Sequence, residues 1–345
     1  MKRLNGLKCA SAFTAAHIAT NFYETMTANM PRNHHWVPQC YLKGFTKGRS
    51  KKSTLHVTDF ETGRQFPTVP RNVAAGRDFN RVDIDGISPD YVESGIAVFE
   101  GKLDKALERI CHDREIKDPE DLNLVLNLIA LLAVRNPGMR ENVCHSHEQV
   151  MKRVMDLTLA TKERYESSFA KAARAGALNA EDILPYERMC EFVDRGEYTI
   201  SVSTTHHVGQ ELKLVDAILP LLGQRKWLLA RALPATGGFV TSDHPVILQW
   251  AERPTTGSLG RPGFALRGTE VLFTVSHDLA LIGTFEGPDG IVDADEKQVA
   301  LMNGVILGNW QRQVYARDDR FRYRMQDGQI RRGTDALRHL GTWSR

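Results

Sequence analysis

The period of the hydrophobic pattern changes twice along this chain, and that change limits the fold more than any other feature. Residues 55–60 alternate between apolar and polar side chains, and a short turn leads to a second extended run, 64–69, which predicts a β-hairpin. Pro67 has no amide hydrogen, so the second strand is expected at a sheet edge. Apolar residues then recur at helical spacing over 88–222, and the two-residue period returns after Trp227.

This order of patterns predicts an α+β fold. We expect a single globular domain whose β-rich N- and C-terminal parts share a sheet, with a helical middle region over 88–222. The predicted helices cover residues 39–45, 88–110, 118–135, 139–173, 181–193, 205–222 and 293–310. The predicted strands of the C-terminal part cover residues 227–233, 238–248, 271–275, 279–285 and 313–316.

Charge and cysteine usage exclude several classes of protein. The chain carries 45 basic and 42 acidic residues, so its net charge of +3 gives no general reason to bind nucleic acid or a membrane surface. Its 5 cysteines are odd in number and form no Cys-x-x-Cys pair, which favours a reducing compartment and predicts a cytoplasmic protein. The longest strongly apolar run, 122–134, is too short to cross a bilayer.

The two ends of the chain are expected to lie outside the main domain. Residues 1–30 have weak periodicity, and Met26 and Met30 stand just before the first dense motif, so we expect a disordered tail or a later working start. The main domain is expected over 31–318. Residues 319–345 are predicted to form a basic C-terminal tail.

Four motifs occur in a distinctive order. Residues 33–45 read Asn-His-His-Trp-Val-Pro-Gln-Cys-Tyr-Leu-Lys-Gly-Phe, residues 133–137 contain Arg-Asn-Pro, and residues 239–246 contain Thr-Ser-Asp-His-Pro-Val. The fourth is Leu301-Met302-Asn303 followed by Gln313-Val314-Tyr315-Ala316. The first motif resembles the H-H-x-V-P-Q-x-Y-L-x-x-F opening of a bacterial family, the domain of unknown function 4238 family, and the other three match later segments of that family. The resemblance covers about 32–317 and implies a fold and a candidate site, but no known reaction.

Five polar residues are the candidate catalytic residues. His35 is expected to act as a general base or metal ligand, Arg135 to bind an anion, and Asp243 to orient the histidine or a metal, with Glu100 and Asn303 converging on them. A structural interpretation stays open for each of the first three. His35 could hydrogen-bond the backbone beside the first helix, Arg135 could pair with Asp243 or cap carbonyls, and Asp243 could bind local amides.

A second group of residues suggests a possible partner. Arg320, Arg322 and Arg324 alternate with aromatic residues, a pattern that can contact a nucleic-acid backbone and stack on bases, although a solvated ribbon has the same pattern. The sequence identifies no other partner, cofactor or metal.

Two functions of different classes remain open. The leading hypothesis is a hydrolase that acts on a phosphodiester such as RNA, with His35, Arg135 and Asp243 in a shared cleft. The alternative is a non-catalytic binding or interaction protein in which the same residues form a buried structural network.

Overall fold

The structure, a computed structural model, describes residues 32–196, 198–252 and 262–340. The expected N-terminal tail and the last five residues of the expected C-terminal tail, 341–345, lie outside this range. The fold is α+β, as the sequence predicted.

The strands are β1 Asn33–His35, β2 Leu55–Asp59, β3 Arg64–Thr68, β4 Ala75–Arg77, β5 Lys226–Ala232, β6 Thr241–Ser242, β7 Val246–Trp250, β8 Thr269–Ser276, β9 Leu279–Thr284, β10 Gly290–Ala294, β11 Gln313–Ala316, β12 Arg322–Arg324 and β13 Ile330–Arg332. The helices are α1 Gln39–Leu42, α2 Tyr91–Asp113, α3 Pro119–Val134, α4 Pro137–Leu159, α5 Lys162–Arg174, α6 Tyr186–Arg195, α7 Thr204–Gly223, α8 Glu296–Leu307 and α9 Ala336–Leu340.

The described chain divides into two compact units. The sheet unit contains residues 32–136 and 208–340, and the helical unit contains residues 137–207. All thirteen strands described above, together with α2 and α3, belong to the sheet unit.

One sheet of the sheet unit joins the two ends of the chain. Its strand order is β3-β2-β11-β6, and every neighbouring pair is antiparallel. Tyr315 of β11 lies opposite Val57 of β2, so the N-terminal hairpin and the closing strand share a sheet as predicted. Pro67 lies in β3, at the edge of this sheet, where its missing amide leaves no ladder bond unmade.

The second large sheet is built from the C-terminal half. Its order is β10-β5-β9-β8-β7, and only the β10–β5 pair is parallel. The predicted strand over 238–248 is two strands in different sheets, because the chain turns at Asp243 and Pro245 between β6 and β7. Strand β10 was missed, since residues 290–294 carry a short, partly exposed pattern that the predicted helix over 293–310 overlapped.

Several helix boundaries also differ from the prediction. α2 begins at Tyr91, two residues after Pro89, and has no side-chain cap. The single helix predicted over 139–173 is two helices, because the Thr161 hydroxyl accepts a hydrogen bond from the Arg164 amide and starts α5. α3 follows the prediction, with Asp118 accepting from the Glu120 amide at 2.9 Å.

Tyr41 ties the first helix to both large sheets. Its ring is fully buried and lies 5.2 Å from the ring of Phe273 in β8. Its hydroxyl donates to the Thr274 carbonyl and lies 2.7 Å from the Thr241 hydroxyl of β6. The first motif of the sequence is therefore anchored in the core of the sheet unit, which positions the histidines that precede it.

Hydropathy does not single out a membrane-spanning helix. Within 32–340, apart from the gaps at 197 and 253–261, no single helix has the length and hydropathy of a bilayer span; α3 and α4 pass this test only when taken as a pair. Most of α3 is buried in the core of the sheet unit.

The start of the expected C-terminal tail folds back onto the sheet unit. β12 and β13 form an antiparallel hairpin, and Phe321 and Tyr323 are buried within it. Gly304 of α8 lies so close to the Arg324 carbonyl that a Cβ there would be 2.2 Å from the oxygen. The aromatic residues between the arginines are therefore core side chains, which takes them away from base stacking.

Candidate functional site

Two adjacent histidines on β1 have different environments. His34 is fully buried, and its Nδ1 accepts a hydrogen bond from the Asn80 amide at 2.9 Å. His35 is half-buried, and its Nδ1 lies 3.1 Å from the Val73 carbonyl oxygen. Because a carbonyl only accepts, this contact places the proton of neutral His35 on Nδ1. Nε2 of His35 then carries a lone pair, and it has no hydrogen-bond partner among the described residues.

A row of acidic side chains follows one face of α2. Its members lie seven or four residues apart, which places them on one side of a helix: Glu93, Glu100, Asp104 and Glu108. Glu93 accepts a hydrogen bond from the Asn80 side chain at 2.6 Å, and Lys43 binds both Asp104 and Glu108. Within the described ranges, Glu100 is the member of this row that has no hydrogen bond or ion pair.

Burial moves the pKa values of His35 and Glu100 in opposite directions. The pKa of Glu100 is raised to about 7, chiefly by desolvation, while the charge of Arg135 opposes the increase and that of Glu93 adds to it. The pKa of His35 is lowered to about 4, chiefly by desolvation and also by the charge of Arg135, while the hydrogen bond to Val73 opposes the decrease. Near pH 7 the imidazole is therefore neutral, while the Glu100 carboxyl group is about half protonated.

Arg135 provides a buried positive charge beside both groups. It ends α3, where its amide donates to Leu131, and its side chain is almost fully buried. Its guanidinium donates to the Asn80 side-chain oxygen at 3.0 Å and to the Trp36 carbonyl at 3.5 Å. These bonds hold the charge in place, so Arg135 acts on the site chiefly through its field.

Lys51 is the exposed cation of the site. Its charge lowers the pKa of both His35 and Glu100, so it lies close enough to act on each of them. Because its side chain is exposed, Lys51 can contact an anion bound at the site.

Asp243 is bound by backbone amides. Its carboxylate accepts hydrogen bonds from Gln311 at 3.0 Å, Arg312 at 2.8 Å and Gln313 at 3.0 Å. Burial raises its pKa, and the three amides oppose that increase. The Gln311 side chain also reaches Asn136 at 3.5 Å, which links Asp243 to the residue after Arg135. These contacts correspond to the structural interpretation of Asp243, in which its carboxylate binds backbone amides.

Asn303 of α8 is likewise committed to the backbone. It accepts from the Val240 amide at 3.0 Å and donates to the carbonyls of Gly238 at 2.9 Å and Arg322 at 2.8 Å. The residue is fully buried, so the structure places it in a clamp between α8, the approach to β6 and β12.

Three residues near the candidate site were not predicted. Asn80 is fully buried and connects His34, Glu93 and Arg135, and nothing in the local sequence distinguishes it from a turn residue. Glu93 could have been found, because it shares a helix face with Glu100. Lys51 lies in a loop beside another lysine, and only the fold brings it to the site.

The described side chains suggest chemistry by acid and base. Across residues 32–340, outside the gaps, no group of three His, Cys, Asp or Glu side chains is placed to hold a metal ion. The site contains a neutral imidazole, a carboxyl group whose pKa is raised to about 7 and two cations.

The fold and the site together define a class of protein. Its members are α+β proteins in which a paired-histidine motif precedes a buried helix and polar side chains lie beside that motif. The chain belongs to the DUF4238 family, described as a protein of unknown function, whose sequence profile matches residues 33–320. No curated protein matches the chain, and no solved structure matches it.

Proposed function

We propose that this protein is a hydrolase that uses His35 and Glu100 as an acid–base pair and acts on a phosphodiester. The proposal rests on one observation: an imidazole nitrogen and a carboxyl group, neither with a partner among the described residues, lie beside the same two cations. A pair of titratable groups whose environments move their pKa values in opposite directions is typical of acid–base sites.

The proposed reaction needs one proton acceptor and one proton donor. Nε2 of His35 takes a proton from water as the water oxygen bonds to phosphorus. The bond from phosphorus to the leaving oxygen breaks, and the Glu100 carboxyl group donates its proton to that oxygen. The products are a phosphomonoester and an alcohol, and both side chains return to their first state by proton exchange with solvent.

The charges favour an anionic substrate. Arg135 and Lys51 both act on the site, and a bound phosphate would offset their effect and raise the pKa of His35 toward neutrality. That increase would make the imidazole a better base only once substrate is present. We propose RNA as the phosphodiester substrate.

A second function of another class has its own support. Asp243 and Asn303 bind only backbone groups in their described contacts, as expected for a non-catalytic interaction protein with a buried polar network. The two functions differ in what they require of His35 and Glu100, since a structural network needs no carboxyl group without a hydrogen-bond partner on α2.

The cysteines support a cytoplasmic location as part of the proposal. Cys40, Cys111, Cys144 and Cys190 are all free thiols in the described chain. Burial raises the pKa of Cys40 and Cys111, so neither is suited to be the nucleophile in this scheme.

Hydrolysis of bis(p-nitrophenyl) phosphate and of single-stranded RNA by the full chain tests the proposed reaction. We expect His35→Ala and Glu100→Gln each to lower kcat/KM by about 100- to 10,000-fold, because each removes a proton-transfer step. Lys51→Ala is expected to lower it about fivefold, because Lys51 is exposed. In the unmodified protein, kcat/KM should fall as pH rises through about 7, where Glu100 loses its proton.

Lys52→Ala is the matched control, since it removes the neighbouring exposed lysine. Its rate should equal that of the unmodified protein. Absence of hydrolysis of both substrates, or a rate that Glu100→Gln leaves unchanged while the variant stays folded, would instead favour the non-catalytic function.

A further inference from the structure

A cavity of about 520 Å³ lies in the sheet unit, between β5, the loop after it and the loop after β11. Arginine side chains contribute much of its wall: Arg114, Arg317, Arg320 and Arg322. The cavity has a volume typical of small-molecule sites. None of these residues takes part in the acid–base site described above, so the cavity is a separate feature of the molecule.

The charges of this cavity do not cancel within its wall. Its two carboxylates are already paired, Asp278 with Arg49 at 2.6 Å and Asp318 with Arg320 at 2.6 Å. Arg317 has no hydrogen bond or ion pair among the described residues, although it lies close enough to His277 for its charge to lower the histidine pKa. The wall therefore keeps an excess of positive charge.

Arg114 adds to that excess. It ends α2 in the left-handed conformation, with φ 53°, and its guanidinium donates to the Ala232 carbonyl at 2.9 Å. Its Nε is buried and has no partner in the part of the chain that the structure describes. No carboxylate pairs with this guanidinium among the described ion pairs, so its charge is also available to a ligand.

His277 supplies a neutral polar group on the same wall. Burial lowers its pKa to about 4, so the ring is uncharged near pH 7. Its Nδ1 is buried and lacks a hydrogen-bond partner among the described residues. A buried polar atom left unpaired beside a cavity calls for a partner, and a ligand in the cavity is one source of it.

Two glycines bring the backbone close to this histidine. Gly237 and Gly238 both have positive φ, 84° and 76°. A Cβ on Gly238 would lie 2.1 Å from Cε1 of His277, and one on Gly237 would lie 2.6 Å from the Arg320 carbonyl oxygen. Only glycine lets the loop after β5 approach the ring so closely, and that approach shapes the wall.

We propose that this cavity binds the phosphate group of a ligand, with Arg317 and Arg114 as the cations that neutralise it. Guanidinium groups present several donors in a plane and match the oxygens of a phosphate, and here two of them have no carboxylate partner. The phosphate could belong to a mononucleotide or to the end of an RNA strand, because both offer the same dianionic group. The proposal does not depend on hydrolysis at His35 and Glu100.

Calorimetric titration of the full chain tests this site with four probes: inorganic phosphate, adenosine monophosphate, and a short single-stranded RNA with and without a 5′-phosphate. We expect the protein to bind the probes that carry a phosphate group. Arg317→Gln should weaken this binding about ten- to hundredfold, because the variant loses a hydrogen bond to a charged group. A mononucleotide ligand would bind more tightly than the RNA. An RNA-end ligand would lose affinity when the 5′-phosphate is absent.

Arg267→Gln is the matched control, because Arg267 is an exposed arginine paired with Glu286 and does not line the cavity. It should keep the full affinity, as should Glu100→Gln, which alters only the acid–base site. Arg317→Lys keeps the charge and loses the planar fork, so it should bind with intermediate affinity, and it replaces Arg317→Gln if that variant does not fold. No binding of any phosphate probe by the unmodified protein, or equal losses in Arg317→Gln and Arg267→Gln, would overturn the proposal.

Discussion

At the scale of single residues, Glu100 and Asp243 show how burial can lead to opposite uses of a carboxyl group. Asp243 is surrounded by three amides, which hold the carboxylate and commit it to the backbone. Glu100 has no hydrogen bond among the described residues, so burial raises its pKa without a donor to oppose it. The charges of Arg135 and Lys51 only partly oppose this increase, so ionisation of Glu100 costs stability.

That cost can be measured through the dependence of stability on pH. The pKa of Glu100 is about 7 in the folded protein and 4.5 as its ordinary value, so its protonated form stabilises the fold below pH 4.5 and the contribution is lost as pH rises to about 7. We expect Glu100→Gln to be more stable relative to the unmodified protein at pH 8 than at pH 4.5, by on the order of 2 kcal/mol. Urea unfolding at both pH values measures the difference.

Glu108→Gln on the same helix face is the control for that experiment, since Glu108 is largely exposed and pairs with Lys43. Its relative stability should change much less between the two pH values. Equal changes for Glu100→Gln and Glu108→Gln would show that Glu100 is not held in a desolvated environment.

At the scale of elements, polar side chains decide where strands and helices end. Asp243 stands between β6 and β7, and its three amide bonds fasten the start of β11. Asn303 lies inside α8, and its side chain bonds the backbone of Gly238 and Val240 before β6 and of Arg322 at the start of β12. Both side chains therefore supply hydrogen-bond partners to backbone groups near the ends of strands.

Asp243→Asn tests this role. The amide that replaces one carboxylate oxygen cannot accept, so one or more buried backbone donors lose their partner, and we expect a loss of about 1–3 kcal/mol in unfolding free energy. Chemical denaturation of the variant measures it. Asp319→Asn, at an exposed aspartate in the loop after β11, should change stability by less than about 0.5 kcal/mol. An Asp243→Asn protein as stable as the unmodified one would contradict this role of the Asp243 carboxylate.

At the scale of the whole molecule, the N- and C-terminal parts depend on each other. β11 lies between β2 and β6, so removal of the N-terminal hairpin would expose one edge of β11 and open the core around Tyr315. An unpaired internal strand leaves amides and carbonyls without partners.

We therefore expect limited proteolysis to release no stable fragment that begins near residue 198. Mass spectrometry of the digest, followed by circular dichroism of any long fragment, checks this. The fragment 198–345 expressed alone should be unfolded, while the full chain melts cooperatively. A folded fragment of that kind would show that the C-terminal sheet is an independent domain.

The sequence by itself determined the parts of this protein that depend on neighbouring residues. The hairpin with Pro67 at its edge, the helix that begins near Asp118 and the closing strand near Tyr315 were all predicted from local pattern, and all are present. The motifs that resemble the family could also be recognised in the sequence, since each motif is a contiguous segment of the chain. Local rules suffice here because turn residues, caps and alternation act within a few positions of the chain.

Only the tertiary structure decided which polar residues share a site. The pKa of Glu100 is raised to about 7 because α2 packs against α1 and α3, and the same packing lets Asn80 join Glu93 to Arg135. The parallel pairing of β10 and the division of residues 238–248 between two sheets likewise depend on partners far away in sequence. Desolvation and strand pairing are properties of surroundings, and those surroundings are assembled from distant segments of the chain.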